Sequence, residues 1–470
     1  MESLAMKWGG VVLVVALAGC AVGPDYQPPR LALPAHLGVA GTTLTETAPV
    51  SAWWRAFGDP MLDGLIERAS RQNLDVQAAW ARVRQARALA GAASGADWPQ
   101  LSLAAQQTHD RLSTRGEQFA NLPFPNPQNQ FMDTRAGMTA SWELDLFGYN
   151  ARSVEAATAQ AGGAQAMAYA TLLTTEADVA RSYLDLRALQ QRARLAARAQ
   201  ALADETLRLT RLQLVVGEAS QLAVNLAESA AKNAAAALPP LQAGMRADLD
   251  ALALLTGEAP RALDDELAAT APLPDPQGVF GVGLPSDLLL RRPDVRRAER
   301  DLAAASAEVG VATAAQYPRF SLLGTFGVDA IHQGQLTEQA SRYWSVGPAV
   351  SLPLFSGGAL ANQAKASQAA YDAALAAYRK TVLQALSDTE TALMRFDRES
   401  ARLEAVDGAR QAAASTLALI RRRVTVGEAA ELDALQADSQ LQQATDVWLQ
   451  ARAARSQALV GLYQSLGGGW

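Results

Sequence analysis

Three adjoining stretches decide the fold: RFSLLGTFGV (319–328), WSVGPAVSLPL (344–354) and the break FSGG (355–358). In the first, Phe320, Leu322, Phe326 and Val328 share one face, while Arg319, Ser321, Thr325 and Gly327 mostly share the other. In the second, Trp344, Val346, Pro348, Val350 and Leu352 alternate with Ser345, Gly347, Ala349 and Ser351. A period of two is that of a strand with one apolar face. After FSGG the pattern turns helical, and no further break occurs before Gly427. The unit is two strands followed by one very long helix.

The whole unit occurs twice. WPQLSL (98–103) matches YPRFSL (317–322), DLFG (145–148) matches PLFS (353–356), and VGEA (216–219) matches VGEA (426–429). Upstream, Asp75-Val76 matches Asp294-Val295. The offset between matched positions stays between 208 and 219 residues, which makes this a tandem duplication. The first copy repeats the strand pattern: Ala136, Met138, Ala140, Trp142 and Leu144 alternate with Arg135, Gly137, Thr139, Ser141 and Glu143.

Strands of this length with one apolar face suit a soluble sandwich or a transmembrane barrel. Aromatics near the strand ends (Trp98, Phe131, Phe147, Tyr317, Tyr343 and Phe355) favour the barrel, because aromatic girdles sit at bilayer interfaces. Four strands cannot close a barrel, and an open edge cannot sit in lipid. The pattern therefore implies several chains, with eight, twelve or sixteen strands for two, three or four copies.

The long helices, expected at 150–216 and 358–426, would each span roughly 100 Å. Along the second, Val382, Thr389, Phe396, Leu403, Arg410, Leu417 and Val424 recur every seven residues. Ala385, Ala392, Val406, Ala413 and Ile420 follow three later on the same stripe. That is a coiled-coil-like seam, interrupted at Arg410 and Glu399. Flanking helices of about half that length are expected at 61–93, 219–255, 286–315 and 429–462. Two half-length helices laid end to end match one long one, so the expectation is an elongated helical wall hanging from a short barrel. A solvated coiled-coil rod is the alternative, and it leaves the strands unexplained.

The chain has 470 residues, 49% of them hydrophobic, and a net charge of −6. Mean hydropathy is −0.02 and the isoelectric point near 5.3. A polytopic helical membrane protein is excluded, and nothing suggests nucleic acid binding. Residues 1–19 read as a secretory signal (with Met6 as an alternative start) that ends LAGC (17–20), where Cys20 is the single cysteine of the chain. This run resembles a bacterial lipobox, which would make Cys20 the new N-terminus, carrying a diacylglycerol and an N-acyl chain. Ala21, rather than Asp, fits export to the outer membrane. Residues 20–51, with Pro24, Pro28, Pro29 and Pro34, read as an extended lipidated tether. Repeat 1 follows at 52–259, with its hairpin at 98–147 and an outward loop at 109–130. The Leu238-Pro-Pro stretch reads as a kink. A Pro-rich crossover is expected at 260–285, packed around the middle of the helical wall. Repeat 2 spans 286–463, with its hairpin at 317–355, and residues 464–470 form a tail.

CAVGPDY (20–26), WW (53–54) with FGDP (57–60), WELDLFG (142–148), LRRPDV (290–295), YPRFS (317–321), LFSGG (354–358) and LGGGW (466–470) together resemble the outer-membrane factor family, the TolC-like and OprM-like exit ducts. The resemblance implies an α+β membrane protein: a homotrimer whose 12-strand barrel continues into a 12-helix periplasmic tunnel. It also implies a periplasmic adaptor and an inner-membrane pump, often of the resistance-nodulation-division type. Val216, Gly217 and Glu218 in one tip, and Val426, Gly427 and Glu428 in the other, match adaptor-docking tips. A glycine there also serves as a helix C-cap. Arg208, Arg211, Arg421, Arg422 and Arg423 could meet an adaptor, or simply complement a helix C-terminus. In ELDALQAD (431–438), Leu432 matches a constricting leucine of the family's periplasmic gate. Gln436 stands where the family usually carries aspartate, and Ser439 where it carries arginine. Asp433 and Asp438 are then the candidates for a carboxylate ring that favours cations.

Enzyme inventories are missing. His36, His109 and His332 are isolated, and no nucleophile elbow or phosphate loop occurs. No metal or other cofactor is expected beyond the lipid on Cys20. The reading is a passive duct passing drugs or other small toxic compounds to the exterior. The rivals are the duct of a type I protein secretion system and, from a different class, a periplasmic adaptor lipoprotein.

Overall fold

The computed structural model describes residues 21–31, 34, 44–45, 52–113, 115, 129–276, 280–281 and 291–468. The signal segment, Cys20, His36, and parts of the tether, the 109–130 loop, the crossover and the tail lie outside these residues. The described elements are β1 (Leu44–Thr45), α1 (Pro60–Gln72), α2 (Leu74–Ser94), β2 (Gln100–Arg111), β3 (Gln130–Leu144), α3 (Tyr149–Val215), α4 (Gln221–Ala236), α5 (Leu238–Leu255) and α6 (Asp264–Leu267). They continue with β4 (Phe280–Gly281), α7 (Pro293–Ala314), β5 (Arg319–Ala330), β6 (Arg342–Ser351), α8 (Ala359–Thr425) and α9 (Glu431–Ser465). The chain divides into two compact units. One comprises residues up to 29 with 84–163 and 299–377; the other comprises 30–83, 164–298 and 378 onward.

The first unit holds a four-stranded antiparallel sheet in the order β2-β3-β5-β6. Its register lines up the two faces read from sequence. Leu103, Met138, Phe326 and Trp344 form one cross-strand row, and Leu101, Ala140, Gly324 and Val346 another. The opposite face is polar, with Arg135 donating to Asp329 at 2.8 Å and Arg319 to Glu143 at 2.9 Å. The apolar face is bare: Leu103 is 77% exposed, Trp344 74% and Leu101 68%. A soluble sandwich would bury that face, so the sheet resolves the choice in favour of a barrel wall. At the end of the sheet nearest the helices, Phe147 stacks on Tyr317 at 4.8 Å, Arg319 lies over the Tyr149 ring, and Trp98 is exposed.

The second unit is helical around one core. Trp53 and Phe57, from a short 3-10 turn, pack with Leu62, Leu65 and Ile66 of α1, Tyr183, Leu184 and Leu186 of α3, Phe396 of α8, and Leu459, Leu462 and Tyr463 of α9. Trp53 stacks on Tyr463 at 5.4 Å. Asp59 caps α1, and its second oxygen accepts from the Tyr183 hydroxyl at 2.6 Å. Residues 267–275 are held by Arg187 and Gln190 of α3 and by Arg452 and Arg455 of α9. The α8 seam is real: Val382, Ala385, Thr389, Phe396 and Leu417 are buried. Arg410, the apparent interruption, lies 4.8 Å from the Trp448 ring centroid, which accommodates a guanidinium face-on.

Several boundaries depart from the sequence expectation. The helix expected at 61–93 is two helices, broken at Asn73. The Asn73 side chain accepts from Asp75 and Val76 N–H and donates to the Leu255 carbonyl, so it starts a new helix where the apolar period runs on. His109, Asp110 and Arg111 belong to β2 rather than to the loop, because the ladder extends to Arg111 opposite Gln130. Residues 21–26 are docked rather than free, as described below. The Leu238-Pro-Pro stretch is a kink, with only the helical Ala237 between α4 and α5.

One half-buried acid predicts a pH dependence. Glu176 on α3 has the Ser70 hydroxyl, at 3.5 Å, as its hydrogen-bond donor, and burial pushes its carboxyl up to about 7. The folded state then holds a proton that the unfolded chain releases near the usual carboxylate value of 4.5. Stability contributed by the protonated form is complete below that value and is lost as pH rises towards 7. Glu176→Gln should therefore stabilise the helical unit at pH 8 by on the order of 2 kcal/mol and change little at pH 4.5. Thermal unfolding at the two pH values measures the difference.

Candidate functional site

The two helix–turn–helix tips are built alike. At the end of α3, Gly217 has φ of 81° and donates to the Leu214 carbonyl, while Glu218 donates to the Gln213 carbonyl at 2.8 Å. At the end of α8, Gly427 has φ of 78° and donates to Val424, while Glu428 donates to Arg423 at 2.8 Å. Both are Schellman closures, in which the left-handed position is open to glycine at no steric cost. The next helix is capped differently in each copy. Ser220 Oγ accepts from Ala223 N–H, whereas in the second tip the Asp433 carboxylate reaches back to Ala430 N–H at 3.0 Å. Val216 and Val426 are each 69% exposed, which gives each turn a small apolar point.

Most of the nearby cations are committed. Arg208 pairs with Glu205, Arg211 with Glu228 across the first hairpin, and Arg423 with Glu428 within the second turn. Arg421 pairs with Asp438 at 2.7 Å. Arg422 is exposed. A groove of about 240 Å³ beside the second tip is lined by Ile420, Arg423, Glu428, Asp433, Gln436 and Gln440, among others.

The gate segment forms the first two turns of α9. Leu432 is half-buried, and Asp433 and Gln436 are exposed. Asp438, a candidate for the carboxylate ring, is buried, its side chain 3% exposed. It accepts from Arg421 Nη2 at 2.7 Å, from Arg198 Nη2 at 3.3 Å and from Gln442 Nε2 at 2.7 Å. One carboxylate thus ties α9 to both α3 and α8. A buried carboxylate needs such partners, since an unpaired charge there is strongly unfavourable. Two further turns along, Arg192 grips Asp446 with two hydrogen bonds, a second α3–α9 tie. Asp433, the other ring candidate, serves as the helix cap. Sequence reasoning missed Arg198 and Arg192, which sit on an Ala-rich, charge-rich stretch without a motif.

Among the described residues no group of His, Cys, Asp and Glu could hold a metal ion, and no helix is long and apolar enough to cross a membrane. Elsewhere in the helical unit, burial pushes the Asp248 carboxyl up to about 7, and the charge of Asp185 adds to the effect.

Comparison with known proteins gives a consistent result. The profile of a family described as outer membrane efflux protein matches twice, over residues 65–258 and 284–468. Nodulation protein T of Rhizobium leguminosarum bv. trifolii is 32% identical over 431 residues, covering 90% of this chain and 89% of that protein. The pyoverdine export outer membrane protein OpmQ of Pseudomonas aeruginosa is 32% identical over 454 residues, covering 97% of this chain and 95% of that protein. Among solved structures, the outer-membrane channel OprN superposes with a TM-score of 0.86 at 32% identity, covering 96% of this chain and 100% of that one. The outer membrane protein VceC of Vibrio cholerae gives 0.79 at 27% identity, covering 90% and 100%.

The tip geometry yields a direct test. Gly427→Val forces a β-branched residue into the left-handed region and should destabilise the second tip by about 1–2 kcal/mol. Hydrogen exchange of peptides covering 420–435 should accelerate, while peptides from the Trp53–Tyr463 core stay unchanged.

Proposed function

The chain belongs to the outer membrane efflux protein family, and from that premise we propose that three copies assemble into a lipid-anchored exit duct served by a periplasmic adaptor and an inner-membrane pump. The fold is that of TolC-like outer-membrane channels, and the protein is an efflux duct of the outer membrane. The observation that carries the assembly is the open sheet. Among the described residues β2 and β6 each pair on one side only, and the apolar face between them is bare. Closing such sheets edge to edge satisfies every strand and turns the apolar face to lipid and the polar face inward. Arg135, Asp329, Arg319 and Glu143 would then line a wet lumen.

The duct itself is passive. Transport is driven by the pump, of the resistance-nodulation-division type in this reading, and the cargo is drugs or other small toxic compounds. Cys20 carries the lipid. The tips at Val216-Gly217-Glu218 and Val426-Gly427-Glu428 meet the adaptor through their apolar points and acidic flanks. Leu432 narrows the periplasmic end. Asp438 holds that end in its resting state by tying α9 to Arg198 and Arg421, and Gln436, uncharged, adds no repulsion at the constriction.

A photo-reactive residue at Glu428 should trap an adaptor in cells, and mass spectrometry of the product should identify the adaptor of a small-molecule pump. Capture of a protein-secretion adaptor would move the cargo to polypeptides. For the gate, Asp438→Ala releases both arginines, which are more than half exposed and can turn to water. Asp438→Ala and Leu432→Ala should each raise single-channel conductance severalfold in planar bilayers. Unchanged conductance in both would contradict the gate.

A further inference from the structure

The residues directly after Cys20 form a built contact that the duct's transport role does not use. Val22 N–H donates to the Phe147 carbonyl at 3.0 Å, at the junction of β3 and α3. Arg152, in the first turn of α3, has its side chain only 6% exposed and donates to Asp25 Oδ1 and Glu155 Oε2, each at 2.7 Å. Its remaining N–H groups point at the Val22 and Gly23 carbonyls, at 3.4 and 3.5 Å. Tyr26 packs on Ala159, Ala303 and Ala304, and its hydroxyl donates to Glu299 of α7 at 2.7 Å. Space for the crossing comes from paired glycines. Gly23 lies in the left-handed region at φ 94°, and a Cβ on it would fall 2.6 Å from Gly310 Cα, while one on Gly310 would fall 2.8 Å from Arg152 Cγ.

These contacts differ in kind (a backbone hydrogen bond, a charge pair, a ring on alanines), and they converge on six residues. Arg152 is the centre. Buried so deeply, its guanidinium depends on its partners, and Asp25 is the charged partner that the strap brings from 127 positions away.

We propose that Arg152 is a positioning residue for the N-terminus: it docks residues 21–26 across the β3–α3 junction and α7, so that whatever precedes Ala21 leaves the protein at that one place. The consequence for a lipid rests on the reading that Cys20 is acylated. A free tether of about 30 residues would let the acyl chains wander over roughly 30 Å. With the strap docked they enter the leaflet beside Phe147, Tyr317 and Trp98, the aromatic end of the sheet, and set the depth at which the strands sit. The partner of this surface is thus the periplasm-facing leaflet of the outer membrane.

The test uses the full-length protein purified in detergent, with hydrogen exchange and intact mass read on the same N-terminal peptide. In the wild type the Val22 amide should exchange at least about tenfold more slowly than in a free segment. Arg152→Ala should abolish that protection and Arg152→Lys should weaken it, with the acyl mass retained and peptides from the body of α3 unchanged. Should Arg152→Ala fail to assemble, Asp25→Asn, which leaves the Arg152–Glu155 pair in place, should still loosen the strap. An unprotected Val22 in the wild type, or protection unaltered in both variants, overturns the proposal. Protection without any acyl mass overturns the lipid reading and the depth-setting role, and leaves the docking by Arg152 standing.

Discussion

Unsatisfied backbone at two sheet edges is the constraint on which the structure depends. β2 and β6 each leave a row of N–H and C=O groups without a strand partner among the described residues, beside an apolar face that no described element covers. In water such edges aggregate, and in lipid each orphaned group costs several kcal/mol. The chain is therefore half of an argument completed by copies of itself. The duplication follows from the same need: two hairpins give a sheet wide enough for a few chains to close, and each hairpin hands directly to a 67-residue helix, α3 or α8.

The helical unit meets a different difficulty. Long Ala-rich helices pack closely but bury little apolar area per turn, so sliding one past another costs little. Charged ties supply the register. Arg192–Asp446 and Asp438 with Arg198 and Arg421 fix α9 against α3 and α8, and Arg410 lodges on Trp448 where the seam lacks an apolar residue. Individually, partly exposed pairs contribute little to stability. Their geometry selects one alignment, as polar pairs do in coiled coils. The apolar anchor, Trp53 on Tyr463 with Phe57, Phe396 and Leu459, lies elsewhere along the same helices and holds the unit together.

What the sequence disclosed follows from the range of the forces involved. Strand faces were legible because a period of two needs no knowledge of the partner, and the observed register aligns those faces row by row. The tips were legible because a left-handed C-cap selects Gly217 and Gly427 locally. The break at Asn73 escaped because no Gly or Pro marks it and the apolar positions Val76, Ala79 and Val83 carry on beyond it; the signal was a capping residue inside a helical pattern. The pairing of Asp438 with Arg198 and Arg421 escaped because its burial depends on how α9 is rotated against two other helices, which one helix's period cannot reveal. The N-terminal strap read as a tether because Pro-rich composition dominates so short a stretch, while Arg152 stands far away in the chain.

Closure of the sheet edges between copies is the central claim, and a cysteine scan tests it most directly. Single cysteines along β6 can be paired with one in β2 and oxidised in native membranes, each single-cysteine variant serving as the control for products through Cys20. Some register should give an interchain disulfide and a covalent ladder ending at three copies. A ladder that ends at two or continues past three, or no interchain product at any register in a folded, membrane-inserted protein, would contradict it.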